Sequence, residues 1–149
     1  AAQHAAPAGW PAGPPPTEPP PEPPAVAEAQ MAALRALDNE RRAQDDELRA
    51  LLARLEATMK AADLWRMDTP SPQAFMSVEP FCVDRMDMGQ WLRFVFIARL
   101  QALCDARAPF PAKCEVAPAI EAWLKDARPE RRVAMTEVIR EIDTLITTH

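Results

Sequence analysis

The sequence predicts an all-α protein, a small bundle of four to five helices preceded by a disordered, proline-rich tail. Apolar residues recur with the period of an α-helix in several segments, and no segment shows the strict alternation that is typical of a strand. Ten of the 17 prolines lie between Pro7 and Pro24, so the N-terminal segment differs in composition from the rest of the chain. We therefore expect a tail over residues 1–25, a helical extension over 26–43 and the bundle domain over 44–149.

The tail is predicted to be extended. Proline fixes φ and has no N–H donor, so the runs at 14–16 and 19–21 favour polyproline II and cannot join a helix interior or a sheet ladder. The segment is either a stiff, solvated linker or a ligand for an aromatic-lined groove. No Arg or Lys precedes Arg35, so the basic residue that often orients such ligands is missing. This absence favours the linker.

A long first helix is predicted over residues 27–63. Its second half carries an apolar face that we expect to pack on the bundle; this face consists of Leu48, Leu51, Leu52, Leu55, Met59 and Ala62. Charged residues interrupt the face between Asp38 and Glu47, so we expect the first half to project into solvent. A second copy of the chain is its expected partner, through Leu34 and Leu37, which would form a homodimer.

The next residues, 64–86, are predicted to form loops and short turns because Pro70, Pro72 and Pro80 interrupt any longer helix. Ser71 followed by proline is a helix start signal, which predicts one short turn over residues 72–76.

A central helix is the clearest element. Asp87 and Gln90 have the spacing of a capping box, and they precede a run over 91–103 that is apolar almost all the way round. The β-branched Val95 and Ile97 would also suit a strand, but the length of the run and its cap favour a helix.

Two further helices complete the predicted bundle. The first spans about 117–126, with Ile120, Trp123 and Leu124 on its inner face. The second begins at Pro129, a residue suited to the first turn of a helix. Its apolar stripe consists of Met135, Val138, Ile139, Ile142, Leu145 and Ile146.

Charge and cysteine content restrict the classes of function. The net charge is −5, whereas nucleic-acid binders usually carry excess Lys and Arg, so direct nucleic-acid binding is not expected. Three cysteines without paired spacing predict reduced thiols. No apolar run is long enough for a membrane helix and no signal-peptide pattern is seen, so we expect a cytoplasmic protein. The chain does not begin with Met, so we expect a trimmed or partial sequence.

Catalytic and metal motifs are not found. Histidine occurs only at His4 and His149, outside the predicted core, so a Ser-His-Asp or Cys-His site is not expected. The cysteine spacing does not suit zinc, and three glycines form no phosphate-binding loop. We therefore predict no catalytic residue, metal or cofactor. An enzyme of another type would need a concave polar site near Asp84, Arg85, Arg93 or Arg99.

Five residues form a candidate interaction surface: Trp65, Phe81, Arg85, Arg93 and Arg99. Arg93 and Arg99 interrupt the apolar central helix. In one interpretation, both guanidinium groups reach solvent or a carboxylate. In the other, one of them lines a groove that receives an anionic group of a partner. Trp65 and Trp91 are interpreted as core anchors, and they would belong to the interaction surface if they were exposed.

Several short motifs resemble those of a known family: Leu64-Trp65, Pro70-Ser71-Pro72, Ser77-x-x-Pro80-Phe81, Gln90-Trp91-Leu92, Val116-Ala117-Pro118 and Ile142-Asp143-x-Leu145. Over residues 44–145 the chain is similar to the YqcC-like family of small bacterial proteins. The resemblance implies a compact helical bundle in the cytoplasm, and family members are often encoded beside a tRNA pseudouridine synthase. The family pattern often has proline where this chain has Ala98, so we expect a straighter central helix here.

The sequence therefore favours a non-enzymatic protein-interaction or adaptor module. Two alternatives stay open. The first is an accessory protein of a tRNA-modifying system that contains a pseudouridine synthase. The second is a structural protein that associates with itself through its tail and first helix.

Overall fold

The computed structural model describes residues 19–21 and 23–148. The expectations for residues 1–18 of the tail lie outside this part of the chain. Within it, the α-helices are α1 (Pro24–Ala61), α2 (Met88–Trp91), α3 (Ala98–Ala106), α4 (Ala117–Trp123) and α5 (Pro129–Thr148). Two 3₁₀ turns span Pro72–Met76 and Pro80–Cys82, and a π-helical turn spans Leu92–Ile97. The described residues form no strand, which confirms the all-α prediction.

Helix α1 belongs to two units, residues 1–37 and residues 38–149. In the first unit, the side chains of Val26, Met31, Leu34 and Leu37 are exposed. In the second unit, α1 buries Leu48, Leu52, Leu55 and Met59, which belong to its predicted apolar face, and also the charged Asp45, which does not. None of the described helices is long and apolar enough to cross a membrane.

The core of the second unit is apolar and draws on α1, the residues 92–104, α4 and α5. Its completely buried side chains include Leu55, Leu92, Ile120 and Ile139. Removing one such side chain from water contributes about 1.5–3 kcal/mol, so these contacts supply most of the stabilisation. Helix α4 ends at Trp123, three residues before the predicted end, and α5 begins at Pro129 as predicted.

The central helix consists of α2, the π-helical turn and α3 in direct succession. Its predicted capping box is confirmed. The Asp87 carboxylate accepts the Gln90 N–H at 2.8 Å, and the Gln90 side-chain oxygen accepts the Asp87 N–H at 3.0 Å. The two bonds satisfy N–H groups that have no partner inside the helix. Arg107, in the left-handed region at φ 52°, ends α3.

The π-helical turn Leu92–Ile97 differs from the predicted α-helix. Residues five apart lie about 140° apart around an α-helix, whereas the i→i+5 bonding of a π-helix brings them onto one side. Trp91 and Phe96 are five apart, and their rings stack with centroids 5.3 Å apart. The wider turn therefore permits an aromatic contact that a regular helix would not allow.

The buried carboxylate of Asp143 on α5 binds the start of α4. It accepts the N–H of Val116 at 2.9 Å, the N–H of Ala117 at 2.8 Å and the thiol of Cys114 at 3.1 Å. Thr147 adds a bond from the Cys114 N–H to its hydroxyl at 3.0 Å. A carboxylate is favourable at a helix N-terminus because it satisfies free N–H groups. These bonds fix the loop 111–116 against α5.

We predict that Asp143→Asn lowers the free energy of unfolding by about 2–3 kcal/mol, because hydrogen bonds to a charged acceptor contribute about 1.5–3 kcal/mol and an amide has only one acceptor oxygen. Urea denaturation followed by circular dichroism measures the change. Asp46→Asn, the same change on the exposed side of α1, serves as the control. Equal stability of the two variants would contradict the role assigned to Asp143.

The thiol of Cys114 is predicted to be unreactive in the folded protein. Burial, the hydrogen bond to Asp143 and the charge of that carboxylate raise the pKa of the Cys114 thiol far above its usual range. Because the thiolate is the reactive form, iodoacetamide at about pH 8.5 should leave Cys114 unmodified. The same treatment in denaturant should modify it, as mass spectrometry of the peptides would show. Rapid alkylation in the folded state would contradict the prediction.

Candidate functional site

A groove of about 500 Å³ lies on the second unit. The central helix supplies Trp91, Val95, Phe96 and Arg99, and other residues come from the segment 75–82 and the loop 111–116. We call it the Trp91 groove. Its volume lies within the range of about 300–1,000 Å³ that is typical of ligand pockets. The groove is therefore large enough to bind part of another molecule.

The aromatic residues that line the groove are Phe75, Phe81, Trp91 and Phe96, and the last three form a chain of ring contacts. The Phe81 ring meets the Trp91 ring edge-on, with centroids 4.9 Å apart and an interplanar angle of 81°. Trp91 in turn stacks on Phe96 across the π-helical turn. Edge-to-face and offset stacked pairs are favoured geometries, worth about 0.5–1.5 kcal/mol each beyond burial. The three rings therefore hold each other in place.

The backbone at Phe81 and Cys82 is in the left-handed region, with φ of 58° and 50°. This conformation costs about 1–2 kcal/mol for each residue that carries a Cβ. Bonds from the Cys82 N–H to the Glu79 carbonyl and from the Val83 N–H to the Pro80 carbonyl maintain the turn. Strained backbone of this kind clusters at functional sites.

Several apolar side chains in residues 75–83, the segment that supplies Phe75, Ser77 and Glu79 to the groove, are exposed to solvent. Met76 and Val78 are 79% and 94% exposed, and Phe75 and Val83 are also exposed. In the described part of the second unit, Val133 is the only other large apolar side chain in this class. A contiguous apolar surface is costly in water and often marks a protein-binding site.

The charged residues of the groove are Glu79, Arg99, Lys113 and Glu115. Lys113 and Glu115 form an ion pair at 3.3 Å. The side chains of Arg99 and Glu79 are exposed and form no hydrogen bond or ion pair with any other residue in the described part of the chain. Among the described residues, the groove therefore offers one cation and one carboxylate that have no polar partner.

Only two of the five candidate interaction residues, Phe81 and Arg99, line the groove. Arg93 stacks on Trp65 at 4.3 Å and donates to its carbonyl at 2.6 Å, so the Arg93 head reaches neither a carboxylate nor the groove. Arg85 is exposed and pairs with Asp84 at 3.5 Å. The predicted set is thus divided among three places.

Trp91 was interpreted as a core anchor, yet it packs on the core with one side and lines the groove with another. Phe96 and Lys113 also line the groove, and neither is among the five predicted interaction residues. The family motifs contained a usable signal, because Ser77 and Phe81 of one motif and Trp91 of another all line the groove.

Ligand chemistry at the groove is limited to what its side chains provide. Cys114 lines it, but burial and Asp143 raise the pKa of this thiol. The described residues contain no group of three or more His, Cys, Asp and Glu side chains placed to hold a metal ion. Aromatic rings, a free guanidinium and a free carboxylate are suited to binding apolar and charged groups.

Comparison with known proteins gives close relatives. A family described as tRNA pseudouridine synthase C has a sequence model that matches residues 47–145. The Escherichia coli (strain K12) protein named "Uncharacterized protein YqcC" is 36% identical over 100 residues, which are 67% of this chain and 91% of that protein. A Haemophilus influenzae protein is 40% identical over 75 residues, 50% of this chain and 71% of that protein.

A third relative is the tRNA pseudouridine synthase C of Pectobacterium carotovorum subsp. carotovorum. It is 32% identical over 68 residues, which are 46% of this chain but 18% of that protein. The similar stretch is therefore a small part of the named synthase.

A solved structure agrees with the sequence matches. The solution NMR structure of protein YqcC from E. coli superposes with a TM-score of 0.62 at 34% identity, covering 70% of this chain and 88% of that chain. This match and the relatives described above confirm the resemblance inferred from the motifs. The chain belongs to the YqcC-like family.

Proposed function

We propose that the chain is a protein-binding module that serves as an accessory subunit of a tRNA pseudouridine synthase. The observation that carries the proposal is the stretch of 68 similar residues inside the tRNA pseudouridine synthase C of Pectobacterium carotovorum. Covalent linkage gives two domains a high effective concentration. Where such a domain is a separate chain, it must bind the synthase through a non-covalent interface to reach the same proximity.

The Trp91 groove supports the protein-binding part of the proposal. Trp and Arg are enriched among the residues that dominate binding energy at protein interfaces, and Trp91 and Arg99 share this groove. Met76 and Val78, which lie in the same segment as the groove residues Ser77 and Glu79, are exposed apolar side chains. Binding a partner would remove these side chains from water.

The net charge of −5 supports contact with the enzyme rather than with its RNA. An enzyme that binds tRNA needs basic surface to replace phosphate counterions. An acidic subunit is attracted to such an enzyme and repelled by the RNA. In this proposal the chain works in the cytoplasm beside the tRNA-modifying enzyme and adds no catalytic residue of its own.

Self-association is a second candidate function, favoured by the exposed Val26, Met31, Leu34 and Leu37 of α1. These residues precede the family match at 47–145. A second copy of the chain is the proposed partner, because Glu28 and Arg35 flank this apolar face with opposite charges that can pair in an antiparallel dimer. Light scattering should give a dimer for the chain and a monomer for Leu34→Glu. A monomer in both cases would overturn this candidate.

The accessory role predicts a direct complex. Isothermal titration of the purified chain with purified tRNA pseudouridine synthase C of the same organism should give one site with a Kd of about 1 μM or tighter, equivalent to about −8 kcal/mol. Bovine serum albumin at the same concentration is the control for non-specific binding. No detectable binding would contradict the proposal.

The role also predicts a cellular effect. Deletion of the gene should lower pseudouridine at the tRNA position modified by that synthase, and a plasmid copy should restore it. Site-specific pseudouridine sequencing measures both. Unchanged modification at every position in the deletion strain would count against an accessory role.

A further inference from the structure

We infer that the Trp91 groove is the surface that binds the synthase, and that it receives a segment whose apolar side chain is flanked by an acidic and a basic residue. This inference rests on the proposed function and adds to it the place of binding and the chemistry of the bound segment.

Three unfavourable features meet at the groove. The π-helical turn departs from regular helix geometry, Phe81 and Cys82 occupy the left-handed region in succession, and the adjacent apolar side chains are exposed. Each feature costs stability in the isolated protein, and all three act on one surface. Strained backbone and π-helical turns are both frequent at functional sites. Their coincidence separates this groove from the other surfaces described.

The apolar part of the bound segment is inferred from the rings. Phe81 and the Trp91–Phe96 stack present aromatic surface to the groove while packing also against the core. Their positions are set before binding, so little side-chain freedom remains to be lost. An aliphatic or aromatic side chain in such a pocket is a typical anchor of an interface.

The charges of the segment are inferred from Arg99 and Glu79, whose side chains have no polar partner among the described residues. The guanidinium of Arg99 can donate two hydrogen bonds to a carboxylate in bidentate geometry. Glu79 can pair with Lys or Arg, which are abundant on a tRNA-binding enzyme. Lys113 and Glu115 already neutralise each other. Opposite charges on either side of the anchor would fix the orientation of the segment.

A second groove, of about 620 Å³, has different properties. It is lined by residues of α1 and α5, and its arginines are already paired, Arg54 with Glu141 and Arg140 with Glu121. Glu47 and Glu137 also line this groove and have no ion-pair partner among the described residues, but no aromatic side chain lines it, so it offers no ring surface for an apolar anchor. We assign synthase binding to the Trp91 groove instead.

The test compares variants of the full chain by titration with the purified synthase. Arg99→Glu should raise the Kd at least about tenfold, because it turns an attraction into a repulsion. Val78→Asp should have a similar effect by placing a charge on the apolar surface, and its 94% exposure makes a folding defect unexpected. Arg128→Glu changes another exposed arginine, which lies outside the groove and has no ion-pair partner among the described residues, and it should alter the Kd less than about twofold.

The two proposals can fail separately. If the unmodified chain binds and both Arg99→Glu and Val78→Asp bind as tightly as Arg128→Glu, the groove assignment is overturned while the accessory role stands. If the unmodified chain does not bind the synthase, the accessory role and the groove assignment are both overturned. Circular dichroism spectra of the variants should match that of the unmodified chain, which ties a changed Kd to the groove.

Discussion

The contact on which the bundle and its groove both depend is the buried carboxylate of Asp143. From α5 it accepts hydrogen bonds from Cys114, Val116 and Ala117, and so joins the last helix to the start of α4. The loop that includes Lys113 and Glu115 is fixed by the same bonds. Without the carboxylate, two buried N–H groups would have no acceptor, which is costly in a low-dielectric interior. One side chain therefore determines both helix packing and the shape of one groove wall.

The rest of the groove, from the segment 75–82 and the central helix, depends on strained backbone instead. Two features of this region lower the stability of the fold: the left-handed backbone at Phe81 and Cys82, and the π-helical turn. Both accompany the contacts among the three rings. A domain is stable by only about 5–15 kcal/mol, so costs of this size must be offset by the core. The apolar stripe of α1 and the buried face of α5 supply that offset. The result is a stable scaffold that holds one strained and partly apolar surface.

Much of the fold was predictable because its signals are local. The Asp87–Gln90 capping box and Pro129 at the first turn of α5 depend on residues close in sequence, and both are found as predicted. The π-helical turn was not predicted, because an apolar run after a capping box does not distinguish a π-helical turn from an α-helical one; the turn accompanies the stacking of Trp91 on Phe96.

Long-range contacts explain the rest. No residue near Asp143 in the sequence indicates that its carboxylate accepts hydrogen bonds from residues 26 to 29 positions earlier in the chain. The candidate site was only partly predictable, because residue type does not determine where a side chain lies. Phe81 and Arg99 were chosen by residue type and line the groove, whereas Arg93 was chosen in the same way and stacks on Trp65.

The most direct test of the central claim is amide hydrogen exchange of the chain with and without purified tRNA pseudouridine synthase C. The account predicts that binding slows exchange in residues 75–83, 91–99 and 111–116. Protection confined to the exposed face of α1 or to the α1–α5 groove, with these three segments unchanged, would contradict it.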